Sequence, residues 1–285
     1  MKDNPYHNPM SEPERRANYE YQLAVDCILP FLKGWGIEGI NSRVLDIGCG
    51  TGGLAVALAD RGARCVGIDH NSQRILQAQK MADQHQVDIR FLEADIFNLG
   101  DCQEKFDLII LSEVLEHLVF QSKVEALLKW CRKRLVLNGR IYASFPPWYS
   151  PFAGHQAGWP RMCYIPWYHL LSDKIKRWLV PKQVDQYFTY AQELNHLTIK
   201  SFEQIVGCSG LKIVHRKLYF IRPEYYWRYK VPPLRAFPLV SAIPFIREYL
   251  TTGAYYLLGI PDKEDPSRLT NSADCLAIRA KNFVK

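Results

Sequence analysis

The chain has 285 residues, of which 48% are hydrophobic, and it carries a formal net charge of +7 at pH 7. This composition is ample for a folded core. No apolar run approaches the roughly 18 residues that a membrane span needs, and the polar start at residues 1–5 is not typical of a signal peptide. No basic run is long enough to mark a nucleic-acid-binding tail, so no nucleic-acid partner is expected; the charge itself fits either an ordinary surface or a preference for anionic partners.

The cysteines are scattered along the chain, without a C-x-x-C pair or a clustered framework. This spacing predicts reduced thiols and a cytoplasmic protein. Peripheral contact with the inner face of a membrane is compatible with that location. The eight positions are Cys27, Cys49, Cys65, Cys102, Cys131, Cys163, Cys208 and Cys275.

The first 40 residues are interpreted as an arm followed by a capping helix. Three prolines within residues 1–13 disfavour a core element there. From Glu14 to Leu32 the apolar spacing predicts an amphipathic helix that ends near Lys33 and Gly34.

The next segment, Val44 to Gly53, predicts a strand, a tight turn and a helix. The strand ends in Asp46, glycines follow at every second position (Gly48, Gly50 and Gly52), and a run of good helix formers comes next. Glycines allow bare backbone to approach a ligand, and often supply positive φ angles.

A dinucleotide-binding turn has the same form, and Asp69 lies 21 residues after Gly48, near the spacing that such folds use for an acid that binds ribose. However, the carboxylate of Asp46 repels a pyrophosphate and attracts an ammonium or a sulfonium, which favours a cationic ligand.

Five motifs in this order resemble those of the class I S-adenosylmethionine-dependent methyltransferases, and the similarity runs from Val44 to Phe145, with weaker support to Ile221. The motifs occupy residues 44–53, 66–69, 92–96, 106–117 and 135–140. The resemblance implies an α/β fold with a doubly wound, seven-stranded, mostly parallel sheet whose last two strands are antiparallel. Strands are expected at 43–47, 64–68, 88–92, 107–111, 139–145, 211–221 and 274–280, and helices at 53–61, 72–84, 120–134 and 201–208.

The resemblance also implies the cofactor and its binding residues. Asp46 attracts the methionyl ammonium, Gly48, Gly50 and Gly52 let the backbone approach, and Asp69 accepts both ribose hydroxyls. Asp95 accepts from the adenine amine, with Ile96 beside the ring. Ser112, at the end of the fourth strand, is assigned to the same site.

Residues 112–117 carry an E-x-x-E-H pattern similar to that of ubiquinone-biosynthesis O-methyltransferases and of small-RNA 2′-O-methyltransferases. On a helix, Glu113, Glu116 and His117 share one face. With His155 they are candidates for a divalent metal site. The same pattern also occurs in metal-free relatives, where His117 or His155 is a candidate general base, and packing or capping roles stay open.

Two stretches, 146–196 and 222–271, are additional to the minimal fold and are predicted to leave the sheet at its carboxyl edge, as aromatic-rich insertions over the site. The chain is therefore divided into an N-terminal arm and capping helix at 1–40, a cofactor-binding core at 41–145 and a lid insertion at 146–196. The core continues at 197–221, and a second insertion at 222–271 precedes a final strand and tail at 272–285. Aromatic and basic residues within 146–182 and 222–260 fit a lid packed on the core, a peripheral membrane contact or a partner surface.

The sequence thus predicts an S-adenosylmethionine-dependent methyltransferase that acts on oxygen of a small or lipid-linked acceptor, either phenolic, quinone-like or glycosyl. Nitrogen or carbon acceptors, a non-catalytic cofactor-binding or membrane-surface module, and an RNA methyltransferase are the alternatives. The oligomeric state stays open.

Overall fold

The computed structural model describes residues 13–38, 41–99, 103–153, 165–180 and 194–261. Their strands are β1 Arg43–Ile47, β2 Arg64–Asp69, β3 Arg90–Glu93, β4 Phe106–Ser112, β5 Leu135–Phe145, β6 Lys212–Ile221, β7 Leu234–Arg235 and β8 Gly253–Gly259. These form one eight-stranded sheet with the order β3-β2-β1-β4-β5-β8-β6-β7. The strands from β3 to β5 in this order are parallel, and β8 runs antiparallel to both β5 and β6.

Helices cover both faces of this sheet, so its central strands are apolar along most of their length. One face packs on the helices Gln121–Arg134 and Ile199–Cys208, through Leu127 and Phe202 among others. The other packs on the N-terminal helices and the helix Gly53–Ala59, through Ala24 and Val56 among others. The helices are α1 Pro13–Leu23, α2 Leu29–Gly34, α3 Gly53–Ala59, α4 Ser72–His85, α5 Gln121–Arg134, α6 Asp173–Leu179, α7 Ile199–Cys208, α8 Glu224–Tyr229, α9 Pro238–Ala242 and α10 Pro244–Leu250.

The first five predicted strands and the three helices between them are confirmed, with small differences at their ends. The leading helix is confirmed too, although a π-helical turn at Ala24–Ile28 divides it into α1 and α2. Strand β5 begins at Leu135, four residues before the predicted start at 139. The fold class, a doubly wound α/β sheet, is therefore as the sequence indicated.

The predicted last strand, 274–280, lies outside the described residues and stays a prediction. Gly253–Gly259, which was not predicted as a strand, occupies the position between β5 and β6. The range 222–271 is therefore not one insertion, because a central strand lies inside it. Tyr255 and Tyr256, two aromatic residues of the range 222–260, are buried in this strand. The sheet has eight strands rather than seven because the two-residue β7 adds to the edge at β6.

Both additional stretches do leave the sheet at the carboxyl edge. Phe145 ends β5 and pairs with Ala254, while Tyr219, near the end of β6, pairs with the neighbouring Gly253. The chain segments that follow β5 and β6 therefore start side by side. This edge also carries the ends of β1, β2 and β4, where ligands bind in α/β folds.

Cys208 is disulfide-bonded, so the prediction of reduced thiols throughout is wrong at this position. Cys27, Cys49, Cys65 and Cys131 are free. Disulfide formation depends on the approach of two sulfurs in space, which scattered positions in a sequence do not reveal. Within the described ranges, no helix is long and apolar enough to cross a membrane.

Candidate active site

The loop between β1 and α3 is shaped by its glycines. Gly48, Gly50 and Gly52 have φ angles of +71°, +56° and +83°, a region that side chains other than glycine rarely adopt. Space is short as well, because a Cβ on Gly48 would lie 2.5 Å from Cγ2 of Val114, and one on Gly52 would lie 2.7 Å from Cβ of Ala78. The loop can take this course only with bare backbone.

Asp69 ties this loop to the end of β2. Its carboxylate accepts hydrogen bonds from the backbone N–H of Gly50, at 3.0 Å, and of Asn71, at 2.9 Å. The residue is buried, and the guanidinium of Arg74 lies 3.8 Å from it. The ends of β1 and β2 are thus joined through one acidic side chain.

Asp46 lies under the same loop, with its carboxylate out of contact with water. It is 2% exposed, and its Oδ2 has no hydrogen-bond partner among the described residues. Burial, followed by the negative charges of Glu20 and Asp69, raises the pKa of Asp46 well above its usual range. A buried acid of this kind fits a ligand that brings positive charge or hydrogen-bond donors to it.

Asp95 and Ile96 follow the end of β3, at the same edge. Oδ1 of Asp95 accepts a hydrogen bond of 3.0 Å from the N–H of Phe97, which caps the short 3₁₀-helix Ile96–Asn98. Ile96 is buried. An acceptor and an apolar side chain therefore lie side by side here.

The segment after β4 differs from the prediction. Only Leu115–His117 is helical, as one 3₁₀ turn, and Glu113 precedes it with a φ of +54°. Glu113, Glu116 and His117 therefore do not share one helix face. Glu113 instead accepts a hydrogen bond of 2.7 Å from Nη2 of Arg222. Ser112 ends β4, and its Oγ lies 3.3 Å from Oγ of Ser144.

The other two members of the E-x-x-E-H pattern have opposite surroundings. Glu116 is buried, and this burial, followed by the charge of Glu113, raises its pKa well above the usual range. His117 reaches the surface, yet its neighbours remove part of its hydration. That desolvation and the charges of Arg74 and Arg16 lower its pKa, so the imidazole is neutral at neutral pH.

The described residues contain no group of three or more His, Cys, Asp or Glu side chains placed to hold a metal ion. His155 lies outside them. The metal set Glu113, Glu116, His117 and His155 therefore stays a prediction, and the charge of Glu113 is already balanced by Arg222.

Comparison with known proteins supports the interpretation of the motifs. The family described as "Methyltransferase domain" matches residues 44–139. The ubiquinone biosynthesis O-methyltransferase of Azorhizobium caulinodans is 41% identical over 75 residues, which are 26% of this chain and 30% of that protein. The enzyme of the same name from Coxiella burnetii is 35% identical over 104 residues, 36% of this chain and 43% of that protein. The chain thus spans less than half the length of these curated relatives.

Solved structures extend the likeness over most of the chain. The magnesium protoporphyrin IX methyltransferase of Synechocystis, solved with bound SAH, matches with a TM-score of 0.55 and 17% identity, over 90% of this chain and 97% of that one. An S-adenosylmethionine-dependent methyltransferase from Clostridium acetobutylicum matches with a TM-score of 0.55 and 12% identity, over 87% of this chain and 94% of that one. The chain carries a methyltransferase domain of the class I fold.

Three residues that the sequence analysis did not single out contact the candidate site of this methyltransferase domain. Glu20 accepts hydrogen bonds from the backbone N–H and the hydroxyl of Thr51, at 3.2 and 2.7 Å. Arg222 pairs with Glu113, and Asn195 donates from Nδ2 to the carbonyl oxygens of Leu115 and Leu118, both at 2.6 Å. None of the three belongs to a local motif, so the sequence held no signal for them.

Proposed function

We propose that the protein is an S-adenosylmethionine-dependent methyltransferase. The observation that carries this proposal is the buried Asp46, whose Oδ2 has no partner in the described structure, beneath a loop that only glycine can form. The family match over residues 44–139 supports it.

The residues present fit this cofactor. Asp46 would receive the ammonium of its amino-acid end, and Gly48, Gly50 and Gly52 would line the backbone surface beside it. Asp69, at the end of β2, would accept from the ribose hydroxyls, since each carboxylate oxygen has more than one lone-pair site. Asp95 and Ile96 would hold the adenine, and Ser112 would border the reacting end.

When bound, the cofactor would supply a methyl group on a sulfonium, which an aligned nucleophile can attack in line while the neutral thioether leaves. The chain has to orient that nucleophile, exclude water and, for a hydroxyl, accept a proton. Of the three E-x-x-E-H side chains, His117 suits the last task best. Glu113 is paired with a guanidinium, and Glu116 is buried with a raised pKa, whereas His117 has a lowered pKa and reaches solvent. His155 stays a second candidate.

The proposed acceptor is a small or lipid-linked molecule methylated on oxygen, either phenolic, quinone-like or glycosyl. Relatives named ubiquinone biosynthesis O-methyltransferase support the choice of oxygen. Nitrogen and carbon acceptors are alternatives within the same fold. RNA is a less favoured acceptor, because no basic run marks a nucleic-acid surface.

Peripheral membrane contact is proposed from the exposed apolar residues of the two additional stretches. Trp178 is 80% exposed, Phe245 70% and Phe237 59%. In α6, Trp178 lies beside Arg177, and Ile175, which is also exposed, follows Lys174. Apolar side chains with neighbouring cations suit an interface of anionic lipid.

The test is transfer of labelled methyl from S-adenosylmethionine into a lysate of the source organism, with and without chelator, followed by partition between organic and aqueous phases. Label in the organic phase supports a lipid-like acceptor, and label in the aqueous phase indicates a polar one. Loss of transfer with chelator, restored by metal, supports the metal set. No label in either phase, with cofactor binding confirmed, indicates the non-catalytic module.

A further inference from the structure

Helix α1 lies directly on the glycine loop and contributes a carboxylate to it. Glu20 accepts hydrogen bonds from the backbone N–H of Thr51, at 3.2 Å, and from its hydroxyl, at 2.7 Å. Its side chain is only 21% exposed. The carboxylate is therefore held at the loop rather than free in solvent.

The approach of α1 depends on a further glycine. A Cβ on Gly53 would lie 2.5 Å from the backbone nitrogen of Tyr21 and 2.7 Å from the carbonyl oxygen of Ala17. Because Gly53 has no side chain, the backbone of α1 contacts the start of α3. This contact places both oxygens of Glu20 over Gly50, where a Cβ would meet them at 3.2 and 3.3 Å.

Three acids therefore surround the same loop, and their counter-charges are unequal. Glu20 is paired with Arg16, at 2.9 Å, on the more exposed side. Asp69 has the guanidinium of Arg74 at 3.8 Å. Asp46 has neither an ion pair nor a hydrogen-bond partner for its Oδ2 within the described residues. Asp46 thus lacks a positive partner, and its burial, followed by the charges of Glu20 and Asp69, raises its pKa.

We propose that Glu20 is a cofactor-binding residue, which together with Asp46 receives the ammonium group at the amino-acid end of the cofactor. Helix α1 then forms one wall of the cofactor site instead of only covering it. The inference rests on the proposed function, since the ligand it assigns is the cofactor of that reaction.

The test compares ligands that differ only at the amino-acid end. S-adenosylmethionine and S-adenosylhomocysteine both carry the ammonium, and 5′-methylthioadenosine has the adenosine and the sulfur without it. In the full-length chain, calorimetry should show that Glu20→Gln weakens binding of the first two about tenfold, the effect expected when a hydrogen bond to a charged group is lost. Binding of 5′-methylthioadenosine should stay within about twofold. Glutamine keeps an oxygen that accepts from Thr51, so the substitution removes charge with little change in shape.

Two further variants separate the charge from other effects. Glu104→Gln makes the same change of net charge at an exposed ion pair with Arg90 and should alter none of the three affinities. Thr51→Val removes the hydroxyl that donates to Glu20 while leaving its charge, and should keep the difference between the ligands with and without the amino-acid end.

Two outcomes would overturn the inference. Unchanged affinities in Glu20→Gln would show that the carboxylate does not face the ligand. Equal loss for all three ligands would assign Glu20 to the structure of the loop alone. If the wild-type chain bound none of the ligands, the proposed function itself would fail.

Discussion

Nη2 of Arg222 donates a hydrogen bond of 2.7 Å to Oε2 of Glu113, and this contact joins the segment after β6 to the segment after β4. Nε of Arg222 lies 3.2 Å from Glu224, which in turn accepts a hydrogen bond of 2.6 Å from the hydroxyl of Tyr255 on β8. One guanidinium thus balances two carboxylates at the carboxyl edge, where Glu113 has a strained backbone.

Removing this guanidinium should destabilise the fold. We expect Arg222→Met to lower the free energy of unfolding by about 3 kcal/mol, because it leaves two carboxylates without their counter-charge. This is the lower end of the range for buried pairs, since 30% of the Glu113 side chain stays exposed. Urea titration measures the change. Arg90→Met, which removes one member of an exposed pair, should cost less than about 1 kcal/mol. Equal losses in the two variants would contradict the role of Arg222.

The carboxylate of Asp46 should favour cofactor binding but lower the free energy of unfolding of the unliganded chain. Its raised pKa means that the folded chain keeps this proton to higher pH than the unfolded chain does. Stability is therefore lost as pH rises from the unfolded pKa through the folded one, because the folded state binds more protons in that window. Asp46→Asn, which has no charge to bury, should be more stable than the wild type by about 1 kcal/mol at neutral pH.

Melting temperatures of the wild type and of Asp46→Asn, measured from acid to neutral pH, test this pH dependence of stability. The advantage of Asp46→Asn should grow as pH rises and vanish at acid pH, and the variant should bind S-adenosylmethionine more weakly. Asp88→Asn, at an exposed position, supplies the control for net charge. A wild-type chain that melts at a higher temperature than Asp46→Asn at neutral pH would contradict the destabilising role of the Asp46 carboxylate.

Asn195 should hold the turn that carries Glu116 and His117. Its Nδ2 donates to the carbonyls of Leu115 and Leu118, and its backbone N–H donates to the carbonyl of Glu116 at 3.0 Å. Asn195→Ala leaves two carbonyls without these donors, and should cost about 2 kcal/mol of unfolding free energy. Asn195→Asp, which puts an acceptor against the carbonyls, should cost at least as much. Methyl transfer should fall further than cofactor affinity, whereas parallel losses would argue that the turn does not shape the acceptor side.

His117 should act as the proton acceptor of the proposed reaction. We expect His117→Gln to lower the transfer rate about 10²-fold or more, with cofactor affinity within about twofold of the wild type. In the wild type the rate should rise with pH with a midpoint below the ordinary histidine pKa, because that of His117 is lowered. The variant should lose this rise. A wild-type pH profile that persists in His117→Gln would transfer the role to another group, with His155 tested next.

Much of the fold and part of the candidate site were accessible from the sequence, since their signals are local. The turn with Asp46 and its glycines is contiguous, and Asp69 and Asp95 follow apolar runs that are readable as strands. The E-x-x-E-H pattern was recognisable too, but its geometry was not. A helical spacing was expected, and the left-handed backbone of Glu113, whose carboxylate accepts a hydrogen bond from Arg222, breaks it.

The sequence by itself determined the succession of strands and helices, the glycine turn and the acids at strand ends, because short-range periodicity and backbone preferences control these. Only the tertiary structure decided that Gly253–Gly259 fills the position between β5 and β6, and that Glu20, Asn195 and Arg222 meet the site from distant segments. Such contacts depend on which distant segments pack together when the chain folds. The spacing of residues along the sequence does not indicate those pairings.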